Sequence, residues 1–122
     1  NFEVESGLSI KRQNEELEVK LVKFKKSVRS DEVLAAFKRL GLKRPLEGDA
    51  ELFKKQHTET VLGSHGIIFL HEPIIDPVNG DEHVEYLYCL KESKACGVSI
   101  TTTHSEWHPD CKFVGICKLE SL

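Results

Sequence analysis

The sequence has no apolar run long enough to cross a membrane. Of its 122 residues, 39% are hydrophobic and 30% are charged, and no stretch approaches the roughly 18 consecutive apolar residues of a spanning helix. The chain lacks an Asn-x-Ser/Thr sequon, and it opens Asn-Phe-Glu-Val without an initiator Met or an apolar leader. These absences exclude a transmembrane helix, weigh against a secreted glycoprotein, and lead us to expect a fragment or a processed product.

Cysteine is scarce and unevenly placed. All four cysteines, Cys89, Cys96, Cys111 and Cys117, follow residue 88, and their spacing matches no recognised metal or disulfide pattern. A chain of 13.8 kDa can build an ordinary hydrophobic core without disulfides or a structural metal ion. We therefore expect an intracellular protein with free, buried thiols, and a secreted protein is the alternative.

Charge is distributed unevenly although the net charge is only −3. The stretch 20–44 contains nine basic residues and two acidic ones, and the stretch 72–92 is acidic. The basic residues are Lys20, Lys23, Lys25, Lys26, Arg29, Lys38, Arg39, Lys43 and Arg44. Such clustering can bind nucleic acid or another acidic partner, although a charge run is more often a solvated helix face. No aromatic residue is placed to stack bases, since Phe24 and Phe37 occupy core-like positions.

The segment 9–29 fits two periodicities. Alternating steps of four and three connect Ile10, Asn14, Leu17, Leu21, Phe24 and Val28. This spacing predicts the seam of a short parallel coiled coil that joins two chains into a homodimer, with Asn14 at an a position. The alternation of Leu17, Val19 and Leu21 with charged residues instead predicts a strand over 16–24, interrupted at Val22. We favour the helix and keep the strand as the alternative.

The next element is marked at both ends. Ser30 is a suitable N-terminal cap, acidic residues occupy the first helical turn, and Gly41 follows the last helical turn. The apolar stripe consists of Val33, Leu34, Phe37 and Leu40. The sequence therefore predicts a helix over 31–40 and, after a loop, a short helix or strand over 50–61.

From residue 66 onward the pattern predicts an antiparallel meander. The expected strands are 66–75, 83–90, 96–104 and 111–119. A two-residue turn at Asn79-Gly80 would place Ile75 opposite Val84, and the following loop would place Leu90 opposite Cys96. The predicted fold is α+β, with a helical or coiled-coil segment over 1–29 and a compact domain over 30–122. In that domain the 31–40 helix packs on one face of four or five antiparallel strands.

This register separates the cysteines and histidines into two groups. Cys96 and His104 would lie roughly 26 Å apart, at about 3.3 Å per residue along one strand, so they cannot share a metal ion. His104, His108 and Cys111 could supply three zinc ligands from one loop, with His83 as a fourth. We expect instead that these histidines are solvated and that the protein has no cofactor, and we keep zinc as the alternative.

The same register brings one cysteine pair together. Cys96 and Cys117 would share a face as diagonal neighbours, so they could form a disulfide if the chain is extracellular. Cys89 would face the opposite side of the sheet. No catalytic motif accompanies these residues, and we expect a protein that is not an enzyme.

These features favour a non-enzymatic protein–protein interaction module. Residues 10–28 would pair two chains, and the α+β head would bind a partner protein, with no membrane involved. The predicted architecture, a coiled coil followed by an α+β head, resembles the coiled-coil-plus-RWD heads of kinetochore and other scaffold proteins. The resemblance rests on no sequence motif. One alternative is binding of nucleic acid or an acidic partner through 20–44. Another is a secreted, disulfide-bonded module resembling the cystatin-like helix-on-sheet group, although that group's Gln-x-Val-x-Gly hairpin is missing.

Overall fold

In the residues that the structure describes, six β-strands form one mixed sheet that carries an α-helix on each face. The computed structural model describes residues 1–57, 59, 66–90, 92–103 and 106–118. The elements are β1 (Phe2–Arg12), β2 (Glu15–Phe24), α1 (Ser30–Leu40), α2 (Asp49–Gln56), β3 (Ile67–Ile75), β4 (Glu82–Cys89), β5 (Cys96–Thr102) and β6 (Lys112–Lys118). The strand order is β1-β2-β6-β3-β4-β5. Only β3 and β6 run parallel among these neighbours.

Residues 2–24 form a β-hairpin, so the predicted N-terminal helix and coiled coil are wrong. β1 and β2 meet at the turn Gln13-Asn14, which leaves Asn14 exposed instead of at a helix interface. The alternative strand over 16–24 coincides with β2. Val22 does not interrupt it because both faces of the sheet are covered: Leu21 packs on the α2 side and Val22 on the α1 side.

The predicted helix over 31–40 is confirmed as α1, which ends where Gly41 adopts a positive φ of 72°. The Ser30 hydroxyl has another role than the expected cap: it accepts a hydrogen bond from Trp107 Nε1 (2.9 Å) and donates one to the Thr103 carbonyl (3.0 Å). α2 covers the first part of the predicted element over 50–61, and residues 58 and 60–65 lie outside the described part. Neither described helix is long and apolar enough to span a membrane.

β6 lies between β2 and β3, so the predicted four-stranded meander is wrong. The predicted strands 66–75 and 83–90 match β3 and β4 to within one residue at their ends. β5 and β6 are shorter than the predicted strands 96–104 and 111–119, since Thr103 and Cys111 lie outside them and residues 104 and 119 are outside the described residues. The chain does not turn back from β5 onto β6. Instead, Trp107 and Val28 exchange backbone hydrogen bonds of 3.2 and 2.6 Å, which directs the chain across the α1 face toward β2.

The connection between the two helices passes through a gap in the sheet. β3 and β6 are paired only at their first residues, and the chain enters where they diverge. Lys43 exchanges backbone hydrogen bonds of 2.8 and 2.9 Å with Ile116 of β6. On the other side of the gap, the Arg44 guanidinium donates to the carbonyl oxygens of Leu70 and His71 of β3, both at 2.8 Å. The chain thus crosses from the α1 face to the α2 face without passing around an edge.

The turn between β3 and β4 is longer than predicted. Ile75 lies opposite Glu82 and not opposite Val84. The Asp76 carboxylate accepts the Val78 N–H at 2.8 Å, and Asn79 Oδ1 accepts the Asp81 N–H at 2.9 Å. These side-chain bonds stabilise a wider loop than the two-residue turn that Asn-Gly usually forms.

The register between β4 and β5 differs from the prediction by one residue. Leu90 pairs with Ala95, whose carbonyl accepts the Leu90 N–H at 2.9 Å, whereas the prediction paired Leu90 with Cys96. Because side chains alternate between faces, a shift of one residue moves every side chain of one strand to the other side. The shift places Cys89 directly opposite Cys96.

Candidate interaction edge

The five apolar residues predicted to form a dimer seam lie in the core of this chain, whereas the sixth seam residue, Asn14, is exposed. Ile10, Leu17 and Leu21 pack on the α2 side of the sheet, and Phe24 and Val28 pack on the α1 side. The most exposed of the five retains 8% of its accessible surface. They are therefore not available to pair two chains.

The arginines of the predicted basic patch are largely engaged. Arg44 lies in the gap between β3 and β6. Arg29 forms an ion pair with Asp31 (Nε–Oδ1 3.2 Å), and this hydrogen bond lowers the pKa of the Asp31 carboxyl. The Arg39 guanidinium lies 6.0 Å from the centre of the Phe2 ring, within reach of a cation–π contact.

The lysines of the predicted patch are divided between the two faces of the sheet. Lys20 lies opposite Gly115, and Lys23 lies opposite Lys112. Because their positions on β2 differ by an odd number, Lys20 points to the α1 side and Lys23 to the α2 side. The exposed members are Lys25, Lys26, Lys38 and Lys43. The nine basic residues therefore do not form one continuous face.

The predicted zinc ligands are not brought together where they are described. His104 lies outside the described residues. His108 is exposed, with its Nδ1 3.5 Å from Asp110 Oδ2, and Cys111 is half-buried, which raises the pKa of its thiol. His83 lies on β4, opposite Thr102. In the described ranges, no three His, Cys, Asp or Glu side chains are arranged to hold a metal ion.

Cys96 is bonded to Cys89, not to the predicted partner Cys117. The disulfide joins directly opposed residues of β4 and β5, whose Cα atoms are 4.1 Å apart. Cys111 and Cys117 are free thiols, and burial raises the pKa of both. The cross-strand bridge was not predicted because the one-residue register error had placed Cys89 on the wrong face.

The buried histidine His71 belongs to the sheet itself. Its side chain is 1% exposed, and its Nδ1–H donates to the Glu72 carbonyl at 2.8 Å. Its Nε2 accepts the Glu85 N–H at 3.2 Å, where the pairing of β3 with β4 is interrupted. The imidazole thus replaces a missing strand partner, and its burial keeps it from any external substrate.

The outer edge of β1, here called the β1 edge, is covered by the end of α2. Gln56 Oε1 accepts the Lys11 N–H at 3.0 Å, and Gln56 Nε2 donates to the Lys11 carbonyl at 3.3 Å. His57 Nε2 donates to the Ser9 carbonyl. These side chains satisfy the outward-facing backbone groups that another strand would need.

Further features protect the β1 edge. Gly7, with a φ of 90°, interrupts the pairing of β1 with β2, and charged residues occur along the strand. Arg12 binds the buried Asp49 carboxylate through two hydrogen bonds of 2.6 and 3.1 Å, which ties α2 to the end of β1. The same hydrogen bonding raises the pKa of the Arg12 guanidinium. Irregular pairing, charge and coverage are the usual protections of a natural sheet edge.

The opposite edge of the sheet has none of these protections among the described residues. Leu90 donates to Ala95 at one end of the β4–β5 pair, and Thr103 donates to Glu82 at the other. Antiparallel strands alternate between hydrogen-bonded and non-hydrogen-bonded pairs, so positions 97, 99 and 101 face β4. The backbone groups of Cys96, Val98, Ile100 and Thr102 face outward, and we call this row the β5 edge. No hydrogen bond from elsewhere in the described chain reaches it.

The side chains of β5 are neutral and suited to a strand. The sequence Cys-Gly-Val-Ser-Ile-Thr-Thr contains neither a charged residue nor proline. On the α2 side, Val98 packs partly against the core, and Ile100 is 55% exposed. On the α1 side, the Tyr88 ring covers Gly97, where a Cβ would lie 2.7 Å from the Tyr88 hydroxyl. The β5 edge therefore has apolar surface on both sides of an open row of backbone groups.

The sequence-based prediction missed the β5 edge because it paired this strand on both sides. Its composition was visible, since no charge occurs between Cys96 and Thr103. That signal becomes informative only once the strand is known to lie at an edge, where charged or irregular residues would be expected. No protein-family model, curated protein or solved structure matches this chain.

Proposed function

We propose that this protein is a non-enzymatic protein-interaction module that binds an extended segment of a partner as an added strand along the β5 edge. The observation that carries the proposal is the contrast between the two sheet edges. The β1 edge is covered by Gln56 and His57, whereas the outward backbone groups of β5 have no partner in the described part of the chain. Natural proteins rarely leave a long, neutral edge strand open unless another chain uses it.

The chemistry of strand addition fits this edge. Each backbone hydrogen bond to an incoming strand contributes about 1 kcal/mol net, and alternate side chains supply the specificity. An apolar residue on the α2 side of the incoming strand would contact Val98 and Ile100. On the α1 side, the neighbouring residue would contact the Tyr88 ring above Gly97. We therefore expect ligands in which apolar residues alternate with neutral polar ones.

The disulfide favours the secreted alternative for the compartment of this interaction. Cys89 and Cys96 are bonded, and disulfides persist mainly in oxidising compartments. The bridge also holds β5 against β4, so it keeps the edge strand in place for a partner. Intact mass before and after reduction of protein from its native source would test this assignment, because an unchanged mass would favour the intracellular alternative.

The proposal is tested by selecting peptides from a random displayed library on the immobilised protein. Ile100→Lys places a charge at the β5 edge, and Val78→Lys is its matched control. Val78 is 92% exposed in the turn between β3 and β4, so both variants exchange an exposed apolar side chain for lysine. We expect selected peptides to lose at least about tenfold in affinity for Ile100→Lys, because a charge would be buried at the added strand. Val78→Lys should bind them like the wild type.

Amide hydrogen exchange provides an independent readout of the same complex. Peptide binding should slow exchange of the outward amides of Val98 and Ile100. The inward amides of Ser99 and Thr101 already donate toward β4 and should change little. A library that gives no binding peptide, or peptides that bind both lysine variants equally, would contradict the proposed function.

A further inference from the structure

We infer that the partner strand at the β5 edge is β5 of a second copy of this chain, an inference that rests on the proposed function. The two strands would pair antiparallel about a two-fold axis at Ser99, and the two sheets would become continuous. A two-fold interface uses the same surface on both subunits, so that surface must be complementary to itself. β5 meets this requirement in its backbone, its side chains and its charge.

The backbone of β5 is symmetric about Ser99. Its outward-facing residues are Cys96, Val98, Ile100 and Thr102, two on each side of the axis. In the antiparallel alignment centred on Ser99, Val98 lies opposite Ile100 of the other copy, and Cys96 lies opposite Thr102. Each of these is a hydrogen-bonded pair, so every outward N–H and C=O of the row obtains a partner. An alignment centred on Val98 or Ile100 would leave the row incompletely paired.

The side chains complement each other in the same alignment. On the α2 side, the exposed Ile100 of each copy would lie beside Val98 of the other, and burial of apolar surface would stabilise the pair. On the α1 side, Thr101 of one copy would lie opposite Gly97 of the other. Gly97 is the position where the Tyr88 ring occupies the space of a side chain, so Thr101 would pack against that ring.

The charge of the strand permits this pairing. Like charges directly opposed across two strands are destabilising, and β5 has no charged residue. The acidic residues of β4 would be separated from those of the second copy by both β5 strands, about 14 Å at the usual strand spacing, where salt screens most of the repulsion. A single pair of strands buries less surface than a permanent dimer, so we expect reversible, concentration-dependent association.

A cysteine at the two-fold axis tests the alignment. Ser99 would face Ser99 of the other copy in a non-hydrogen-bonded pair, the same kind of position at which Cys89 and Cys96 are bonded within the chain. Under mild oxidation, Ser99→Cys should therefore form a covalent dimer, identified by the mass of the linked peptide. In the matched control Thr101→Cys, the new cysteine would face Gly97 and lie about 13 Å from its counterpart. Thr101→Cys should give at least about tenfold less linked dimer than Ser99→Cys. Wild-type protein measures the background of linking through the free thiols of Cys111 and Cys117.

Sedimentation over a range of protein concentrations tests the same inference without an added cysteine. The wild type and Val78→Lys should associate alike, and Ile100→Lys should remain a monomer. A wild type that stays monomeric, association that survives Ile100→Lys, or equal linking of the two cysteine variants would overturn the inference. If the chain stays monomeric but selected peptides still discriminate between the lysine variants, the second-copy inference fails and the proposed function stands. If no peptides are selected either, both fail.

Discussion

The two edges of the sheet differ in how their backbone groups are satisfied. At the β1 edge, side chains from the end of α2 bind the outward groups of Ser9 and Lys11, and Arg12 ties α2 in place through Asp49. At the β5 edge, the outward backbone groups belong to four alternate residues of the strand. They have no such partner in the parts of the chain that are described. The difference is that side chains of the fold cover one edge, whereas no side chain of the described residues covers the other, which is the edge that we propose a partner binds.

The comparison also separates two uses of charge. Charged residues occur near both ends of β1, where they discourage pairing with another strand. None occurs along β5, although β4 and the turn that precedes β4 are acidic. A solvated edge would tolerate charge at least as well as a covered one, so the neutral composition of β5 is consistent with the proposed strand addition.

The largest expected effect tests which amides of β5 face inward. Thr101→Pro removes an N–H that points toward β4, and the free energy of unfolding should fall by about 3 kcal/mol through the lost ladder bond and local distortion. Ile100→Pro removes an outward N–H and should cost about 1 kcal/mol. Urea unfolding of dilute protein measures both. Equal losses would mean that the assignment of inward and outward positions is wrong.

A smaller loss is expected when the tether of the β1 edge is cut. Asp49→Ala leaves the Arg12 guanidinium without its carboxylate, and the free energy of unfolding should fall by about 2 to 3 kcal/mol. The loss stays at the low end of the range for buried pairs because Arg12 is 25% exposed and can be rehydrated. Glu47→Ala, which removes an exposed carboxylate nearby, should change stability by less than about 0.5 kcal/mol. Similar losses from the two variants would show that the tether contributes nothing.

The disulfide should contribute less than the tether. Cys89→Ala with Cys96→Ala opens a short loop, and the free energy of unfolding should fall by about 2 kcal/mol. Amide hydrogen exchange should become faster in β5 and stay unchanged in β1, because the bridge joins β5 to β4 and lies far from β1 in the strand order. The control pair, Cys111→Ala with Cys117→Ala, should cost less than about 1 kcal/mol. Faster exchange in β1 as well would indicate that the bridge stabilises the whole sheet and not one edge.

The smallest effect concerns the two free thiols, which lie away from both edges. Burial raises the pKa of Cys111 and Cys117 above the ordinary value of 9.0, so less thiolate forms at a given pH. At pH 8, iodoacetamide should react at least about threefold more slowly with the folded protein than with the urea-unfolded chain. Because the folded state favours the neutral thiols, their contribution to stability is present below the ordinary pKa and is lost as the pH rises above it. Equal alkylation rates would contradict this.

Much of the local structure was predictable from the sequence. The acidic first turn, the apolar stripe and Gly41 predicted α1, and segments bounded by turn residues predicted β3 and β4. The segment 9–29 was predicted wrongly because apolar residues spaced by four and three also fit a strand whose two faces are both covered. At Val22, alternation ended only because α1 buries the second face of β2.

The candidate site was much less predictable. The apolar seam residues, from Ile10 to Val28, are buried as expected, but they pack within one chain. The role of Arg44 depends on a gap between β3 and β6, two strands that are separated along the chain by residues 76–111. The cysteine pairing depended on whether Cys96 or Ala95 faces Leu90, and residue spacing does not resolve a difference of one position.

The sequence by itself determined where α1 begins and ends, which segments of the C-terminal half are extended, and that β5 is neutral. These properties depend on neighbouring residues, whose capping groups and alternation act over one or two turns of chain. Only the tertiary structure decided that β6 lies between β2 and β3, that Cys89 faces Cys96, and that β5 forms an open edge. Each of these depends on which distant strand satisfies a backbone hydrogen bond, and every strand offers the same N–H and C=O groups to any neighbour.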